Sequence, residues 1–332
     1  MMTPTVMKAS IVERSGAPFI LEEVARPEPS PGQVLVRVGA SAVNPLDTKI
    51  RAGAAAHAKQ PLPAILGIDV AGTVASVGEG VTSFRPGDEV YGMTGGVGGV
   101  QGSLAEYTLA DADLLALKPG NLSMREAAAL PLIFITAWEG LVDRANLRAG
   151  QKVLIHGGAG GVGHIAVQIA AALGATVFST ASRKNFEIVS GFGATPIDYH
   201  SVPVEECVAK YTGGSGFDVV YDTAGGAVLD SSFEAVGRYG HVVSCLGWGT
   251  HKLAPLSFRG ATYSGVFTLL PILSGVGRAH HGEIMREATR LVESGKLRPR
   301  VDERRFSLAS VQDAHEILEK GFADGKLVVD VG

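Results

Sequence analysis

Gly158, Gly160 and Gly163 stand at the spacing of a dinucleotide-binding turn. The run into them, Val153-Leu154-Ile155-His156, is apolar, and the run out, from Val162 to about Leu173, is helix-forming. In a strand-turn-helix unit of this kind the first glycine allows the turn. The second lets backbone approach a pyrophosphate, and the third lets helix pack on strand. Backbone N–H groups from Gly160 through Gly161 and Val162, at the positive end of the helix, are then placed for phosphate. Two further glycine tracts, at 95–99 and 213–216, have no strand before them and no helix after, so they read as loops.

The second strand of such a unit selects the coenzyme. A site for NAD carries an acid at its end, about 20 residues beyond the glycines, to hold a ribose hydroxyl. Here the strand from Ala175 to Thr180 runs into Ser182-Arg183-Lys184, and no carboxylate follows until Glu187. A hydroxyl followed by two cations suits a 2′-phosphate, so NADPH is the expected cofactor. The plainer alternative is a solvated loop with two surface cations.

Bulk composition narrows the remaining chemistry. A formal charge of −4 with no Lys/Arg-rich run excludes a nucleic-acid surface. The apolar stretches fall short of the roughly 20 residues needed to span a bilayer, and residues 1–8 lack the apolar core of a leader, so no membrane partner is expected. Cys207 and Cys245 lie far apart in apolar surroundings, as inert thiols of a cytoplasmic protein do. None of the nine histidines falls into a metal-ligand spacing, so no metal site is expected.

The elements that must position these residues change texture twice along the chain. From Lys8 to about Asp113, short β-branched runs such as Gln33 to Val38 and Gly72 to Val77 alternate with Pro/Gly turns, which predicts a partly open β-barrel. Ser123-Met124-Arg125-Glu126 has the form of a capping box opening a helix that Pro131 should break, and a second helix is expected from Thr136 to about Arg144. Strands over 175–180, 217–222 and 241–246 then alternate with helices over 185–190 and 229–236, the signature of a doubly wound parallel sheet. After about Leu270 come helices over 282–293 and 311–320 and strands at 300–301, 304–306 and 326–330. The expected organisation is a barrel domain over 1–127, completed by 270–332, and a nucleotide domain over 128–269.

With these residues in view the chain resembles the medium-chain dehydrogenase/reductase superfamily, in its zinc-free quinone oxidoreductase (zeta-crystallin-like) branch. The resemblance is carried by Ala42 to Thr48, Leu66 to Gly72, Arg85 to Tyr91, Gly157 to Gly163 and the closing Gly325 to Val329. It implies a GroES-like catalytic barrel beside a Rossmann-type sheet, and a homodimer paired through an edge strand near Tyr263 to Thr268. Zinc-dependent members carry a cysteine where Asn44 stands and Gly-His-Glu where Gly67-Ile68-Asp69 stands, and Ile68 coordinates nothing. Without a Lewis acid, hydride must go to an acceptor already electron-poor, such as a quinone or an enone.

The resemblance points to Asn44, Asp47 and Lys49 as polar groups beside the acceptor, with Lys49 standing where relatives often have tyrosine. The alternative for Asn44-Pro45 and Asp47 is a turn that caps a short helix. Softer carry-overs assign Thr136, Tyr199 and Gly247 to the cofactor, with Phe267 at its nicotinamide end and Lys326 at its phosphate end; Trp248 borders the same loop. Two other functions stay open: a reductase acting mainly on enone or 2-alkenal double bonds, and a non-catalytic, crystallin-like NADPH-binding protein.

Overall fold

Residues 5–332 are described by the structure, a computed structural model, so the first four residues of the stretch read for a leader lie outside the described ones. β1 (Val6–Val12), β2 (Ile20–Ala25) and β3 (Gln33–Ala42) are followed by α1 (Pro45–Arg51), β4 (Ala64–Ile65), β5 (Asp69–Val77), β6 (Glu89–Met93), β7 (Tyr107–Asp111), β8 (Leu115–Leu117) and α2 (Met124–Ala128). β3 shows why these runs become strands: Val34, Val36 and Val38 alternate inward and pack with Val70, Val74 and Val90. The expected capping box before α2 is present, with Ser123 N–H donating to Glu126 Oε2 at 2.9 Å.

Next come α3 (Pro131–Trp138), β9 (Lys152–Ile155), α4 (Gly161–Ala172), β10 (Thr176–Ala181), α5 (Phe186–Gly191), β11 (Thr195–Asp198), α6 (Val204–Thr212), β12 (Phe217–Asp222), α7 (Ala227–Ala235), β13 (Val236–Ser244), α8 (Ala254–Arg259) and β14 (Thr262–Gly265). Their strands form one parallel sheet in the order β11-β10-β9-β12-β13-β14, the doubly wound arrangement the alternation predicted. Two details correct the sequence reading. The helix from Ser123 ends at Ala128, ahead of Pro131 as expected, but the helix expected from Thr136 begins already at Pro131, because a first-turn residue needs no N–H partner; a π-helical turn, Glu139–Arg144, continues it. The tract at 213–216 also closes α6, a helix the sequence reading did not propose, with Gly213 left-handed at its C-cap.

The chain closes with α9 (Leu270–Ser274), α10 (Arg278–Glu293), β15 (Phe306–Ser307), α11 (Val311–Glu319) and β16 (Val328–Asp330). β2, β1 and β4 form a small sheet of their own, and β16 and β15 extend a larger one built on β3, whose path β15-β16-β3-β5-β6-β8, with β7 also paired to β3, does not close among the described residues. The strand expected at 300–301 is a single bridge between Val301 and Lys326, and the one at 304–306 starts at Phe306.

By compactness the described residues divide into two units. One holds the chain up to Leu132 with Leu269–Ser294 and Pro299–Gly332, the other Ile133–Thr268 with Gly295–Arg298. The small outlying piece joins the second unit through Gln168, whose side-chain amide bonds both ways to the Arg298 backbone at 3.0 and 2.9 Å.

The tightest point of the second unit is the turn between β9 and α4. A Cβ on Gly163 would lie 2.0 Å from the Gly157 carbonyl oxygen, whereas one on Gly160 would lie 3.2 Å from it. Gly163→Ala is therefore expected to cost about 1–3 kcal/mol in chemical denaturation and Gly160→Ala distinctly less. Equal losses from the two would show that helix-to-strand contact does not set this turn.

Candidate functional site

In the first unit, four polar side chains from three distant parts of the chain meet in the interior. Asn44 follows β3, Asp69 opens β5, and Lys326 precedes β16, which runs antiparallel to β3 with Val328 opposite Ala42. The Asn44 amide works in both directions: its Nδ2 donates to Asp69 Oδ2 at 2.9 Å and its Oδ1 accepts from Lys326 Nζ. Lys326 Nζ also donates to the Val43 carbonyl at 3.2 Å and lies 3.7 Å from Asp69 Oδ2. Asp69 Oδ1 accepts the Leu132 N–H at 2.8 Å. Asp47 Oδ2 accepts the Asn44 N–H at 2.8 Å, so the turn-and-cap alternative is realised, while Asp47 Oδ1 is buried with no partner.

All four residues are enclosed: Asn44 and Asp69 at 0% exposure, Asp47 at 1% and Lys326 at 6%. Burial pushes the Asp69 carboxyl up and the Lys326 ammonium down, each shift opposed by the other's charge. Burial likewise pushes Asp47 up to about 7, with the Asp69 charge adding to it and the Asn44 N–H opposing it. One ammonium thus balances one carboxylate when Asp47 is neutral.

The structure places Lys326, expected at the phosphate end of the cofactor, in this node, with its Nζ bonded to Asn44 and to the Val43 carbonyl and 3.7 Å from Asp69 Oδ2. Lys49 is exposed on α1 and takes no part in the node, since two residues along a helix turn the side chain about 200° from Asp47. The donor set also does not suit zinc: the fully buried Ile68 offers no donor, and the Asn44 oxygen already holds an ammonium. Among the described residues, no group of three or more His, Cys, Asp or Glu is arranged to hold a metal ion. A separate cavity of about 260 Å³ in this unit, lined in part by Gln33, Thr94, Asp111 and Arg278, includes none of the expected site residues.

In the second unit, the β9–α4 turn carries Gly158, Gly160 and Gly163 as expected. Gly158 has no room for a side chain, because its Cβ would lie 2.2 Å from Ser179 Oγ. Gly160 is the N-cap of α4, so the N–H groups of Gly161, Val162 and Gly163 begin the helix without intrahelical partners. Thr180 Oγ1 accepts the Gly157 N–H at 3.0 Å and lies 3.3 Å from His156 Nδ1. Burial pushes His156 down to about 4 against the pull of Asp222, so the ring is neutral, and its buried Nε2 has no partner. In the sequence, His156 reads only as the end of the apolar run into the turn.

The end of β10 gathers several of the coenzyme candidates. Ser182 Oγ accepts from Asn185 Nδ2 at 3.2 Å, Lys184 is exposed, and Arg183 Nε donates to Asp198 Oδ2 at 2.8 Å. Asp198 ends the neighbouring strand β11, opposite Ala181, and is the acid that a linear search beyond the glycines passes over. Tyr199 is exposed and its ring lies against His200, with centroids 4.1 Å apart.

The remaining candidates sit elsewhere in the unit. Thr136 is buried in a chain in which its Oγ1 lies 3.2 Å from Thr268 Oγ1, Thr268 donates to Glu139 at 2.9 Å, and Tyr221 donates to the Thr136 carbonyl at 2.7 Å. Phe267 meets the half-exposed Trp248 edge to face at 6.2 Å. Gly247 leaves room for the Tyr263 hydroxyl, which would lie 2.1 Å from a Cβ there. The strand expected over Tyr263 to Thr268 ends at Gly265, so Phe267 and Thr268 lie beyond the sheet edge that β14 forms.

Comparison with known proteins adds the following. Residues 30–120 match the family model of the alcohol dehydrogenase GroES-like domain, and residues 192–329 that of zinc-binding dehydrogenase. The chain is 37% identical over 337 residues to the chloroplastic NADPH-dependent alkenal/one oxidoreductase of Arabidopsis thaliana, an alignment covering 98% of this chain and 80% of that protein. It is 33% identical to the quinone oxidoreductase of Sus scrofa, over 98% of each chain. A crystal structure of an alcohol dehydrogenase superfamily protein from Novosphingobium aromaticivorans matches with a TM-score of 0.96 at 59% identity, covering 98% of this chain and 100% of that one.

The raised Asp47 carboxyl has a measurable consequence. An unfolded Asp gives up its proton near pH 4, while the folded one keeps it to about 7. Between those values the unfolded state has lost a proton that the folded state retains, so stability falls as pH rises, by roughly 1 kcal/mol per pH unit from this group. Asp47→Asn is expected to flatten the decline between pH 4 and 7 in urea denaturation. Parallel wild-type and variant curves would remove Asp47 as its cause.

Proposed function

The chain belongs to the medium-chain dehydrogenase/reductase superfamily, and from that membership we propose that it is an NADPH-dependent reductase passing hydride to quinones or to α,β-unsaturated carbonyls. The observation that carries the coenzyme half is the end of β10, where Arg183 and Lys184 are exposed and the carboxylate of the next strand, Asp198, is already bonded to Arg183. NADPH supplies the hydride when bound. The N–H groups at Gly161 to Gly163 would take its pyrophosphate, Arg183 and Lys184 its 2′-phosphate, and Tyr199 would lie by the adenosine. Thr136, Gly247 and Phe267 are proposed for its nicotinamide side.

The acceptor half follows from the node around Asn44. Its donor set does not suit zinc, the Lewis acid that would stabilise the alkoxide formed when a simple alcohol is oxidised. A quinone or enone needs only hydride delivered to an electron-poor position, followed by a proton. Asn44 and Asp47, being enclosed, act in this reading by fixing the start of α1, and the exposed Lys49 is the group proposed to meet the acceptor. Within the two acceptor classes, the relative from Arabidopsis favours alkenals and enones, whose α-carbon must gain the proton.

The same reading includes a cytoplasmic location and a homodimer paired along the free edge of β14, where Tyr263 is exposed. A single-chain mass in light scattering would contradict the dimer.

NADPH oxidation with 1,4-benzoquinone and with a panel of 2-alkenals tests the function directly. Turnover with at least one class is expected, and Lys49→Met is expected to slow alkenal reduction tenfold or more while sparing the quinone, on the order of one lost proton donor. Tight NADPH binding without turnover on either class would instead favour a non-catalytic, crystallin-like role.

A further inference from the structure

One carboxylate outside the expected site stands in direct contact with it. Asp198 Oδ2 accepts from Arg183 Nε at 2.8 Å and from Ser201 Oγ at 3.0 Å, and Oδ1 accepts the His200 N–H at 3.1 Å. The bond from Arg183 holds the carboxyl below the usual carboxylate range, the His200 N–H adding to it. A guanidinium offers five N–H groups in a planar fork, and Asp198 takes only the one at Nε. Among the described residues, both terminal nitrogens of Arg183 are left without a protein partner, on a side chain that is 79% exposed.

We propose that Asp198 is a specificity-determining positioning residue: by gripping Arg183 at Nε, it presents the two terminal nitrogens as a fork to the 2′-phosphate of the coenzyme. The proposal rests on the NADPH reading above. An unheld arginine must surrender rotamer freedom before it can grip a phosphate, whereas a held one has already surrendered it in the protein's own fold. Two charges oppose each other here, and their balance can be judged. The carboxylate repels phosphate, but it is neutralised by Arg183 and engaged by three donors, and Lys184 leaves the loop net positive. Repulsion across an exposed, salt-screened edge is small beside a pre-aligned, charge-assisted pair of hydrogen bonds. The same contacts explain why an acid at this edge does not make an NAD site. Such an acid must have oxygens free to accept a pair of ribose hydroxyls, and three of the about four acceptor positions of Asp198 are taken.

Titration calorimetry of the intact chain with adenosine 2′,5′-bisphosphate and with 5′-AMP isolates the 2′-phosphate without turnover. Wild type is expected to favour the bisphosphate by about tenfold or more. Asp198→Asn should lower that ratio about three- to tenfold, the scale of one side chain's lost ordering. Arg183→Ala should lower it at least as far, and adding Asp198→Asn to Arg183→Ala should lower it no further, because the carboxylate acts through the arginine. Damage to the fold alone would weaken both nucleotides together and leave the ratio where it was. A ratio in Asp198→Asn equal to or above that of wild type overturns the proposal. A wild type that binds both nucleotides equally overturns the NADPH reading beneath it.

Discussion

The nucleotide-binding unit depends on one steric fact: position 163 has no room for a side chain. The carbonyl of Gly157 occupies the space a Cβ would need, so α4 can approach β9 only if glycine stands there. That approach carries the start of α4, with its unpaired N–H groups, to the carboxyl end of the parallel sheet. The neighbouring strands inherit their roles from it. β10 lies beside β9 with Ser179 opposite Ile155, which brings Thr180 under the turn and Arg183 just past it. β11 then lies beside β10, which is how Asp198 comes to hold Arg183.

The first unit is organised around a different constraint, the cost of keeping charge away from water. Removing one partner of a buried ion pair typically costs 3–5 kcal/mol, so Lys326, Asp69 and Asn44 are useful only as a set. The set joins the end of β3, the start of β5 and the approach to β16, and so ties the last strand of the chain to its first large sheet. The result is a closed polar node of amide, carboxylate and ammonium.

Local signals in the sequence carried much of this. The glycine turn was legible because a strand pattern precedes it and a helix pattern follows. The capping box at Ser123 and the alternation of the parallel sheet were legible for the same reason, since each is encoded within a few adjacent residues. Even the missed α6 was written locally, with Glu205 and Glu206 in its first turn, Lys210 in its last and a left-handed Gly213 at its end. Contacts set by strand pairing were not legible. Lys326 and Asn44 lie 282 positions apart and meet only because β16 pairs with β3. Asp198 was passed over because the coenzyme rule looks at the end of one strand, whereas this acid arrives on the next. Burial was hidden as well: Asn44 and Asp47 read as acceptor-facing polar residues, and tertiary packing encloses them.

In the proposed reaction, hydride goes from NADPH to the conjugated position of an electron-poor acceptor. A single turnover with NADPH deuterated at C4 of the nicotinamide, a 2-alkenal and ordinary water tests it, the product being read by mass spectrometry and NMR. Deuterium on the β-carbon of a saturated aldehyde, with the α-carbon proton drawn from solvent, is the predicted result. Deuterium on the carbonyl carbon of an allylic alcohol, or no consumption of NADPH with either the alkenal or 1,4-benzoquinone, would contradict it.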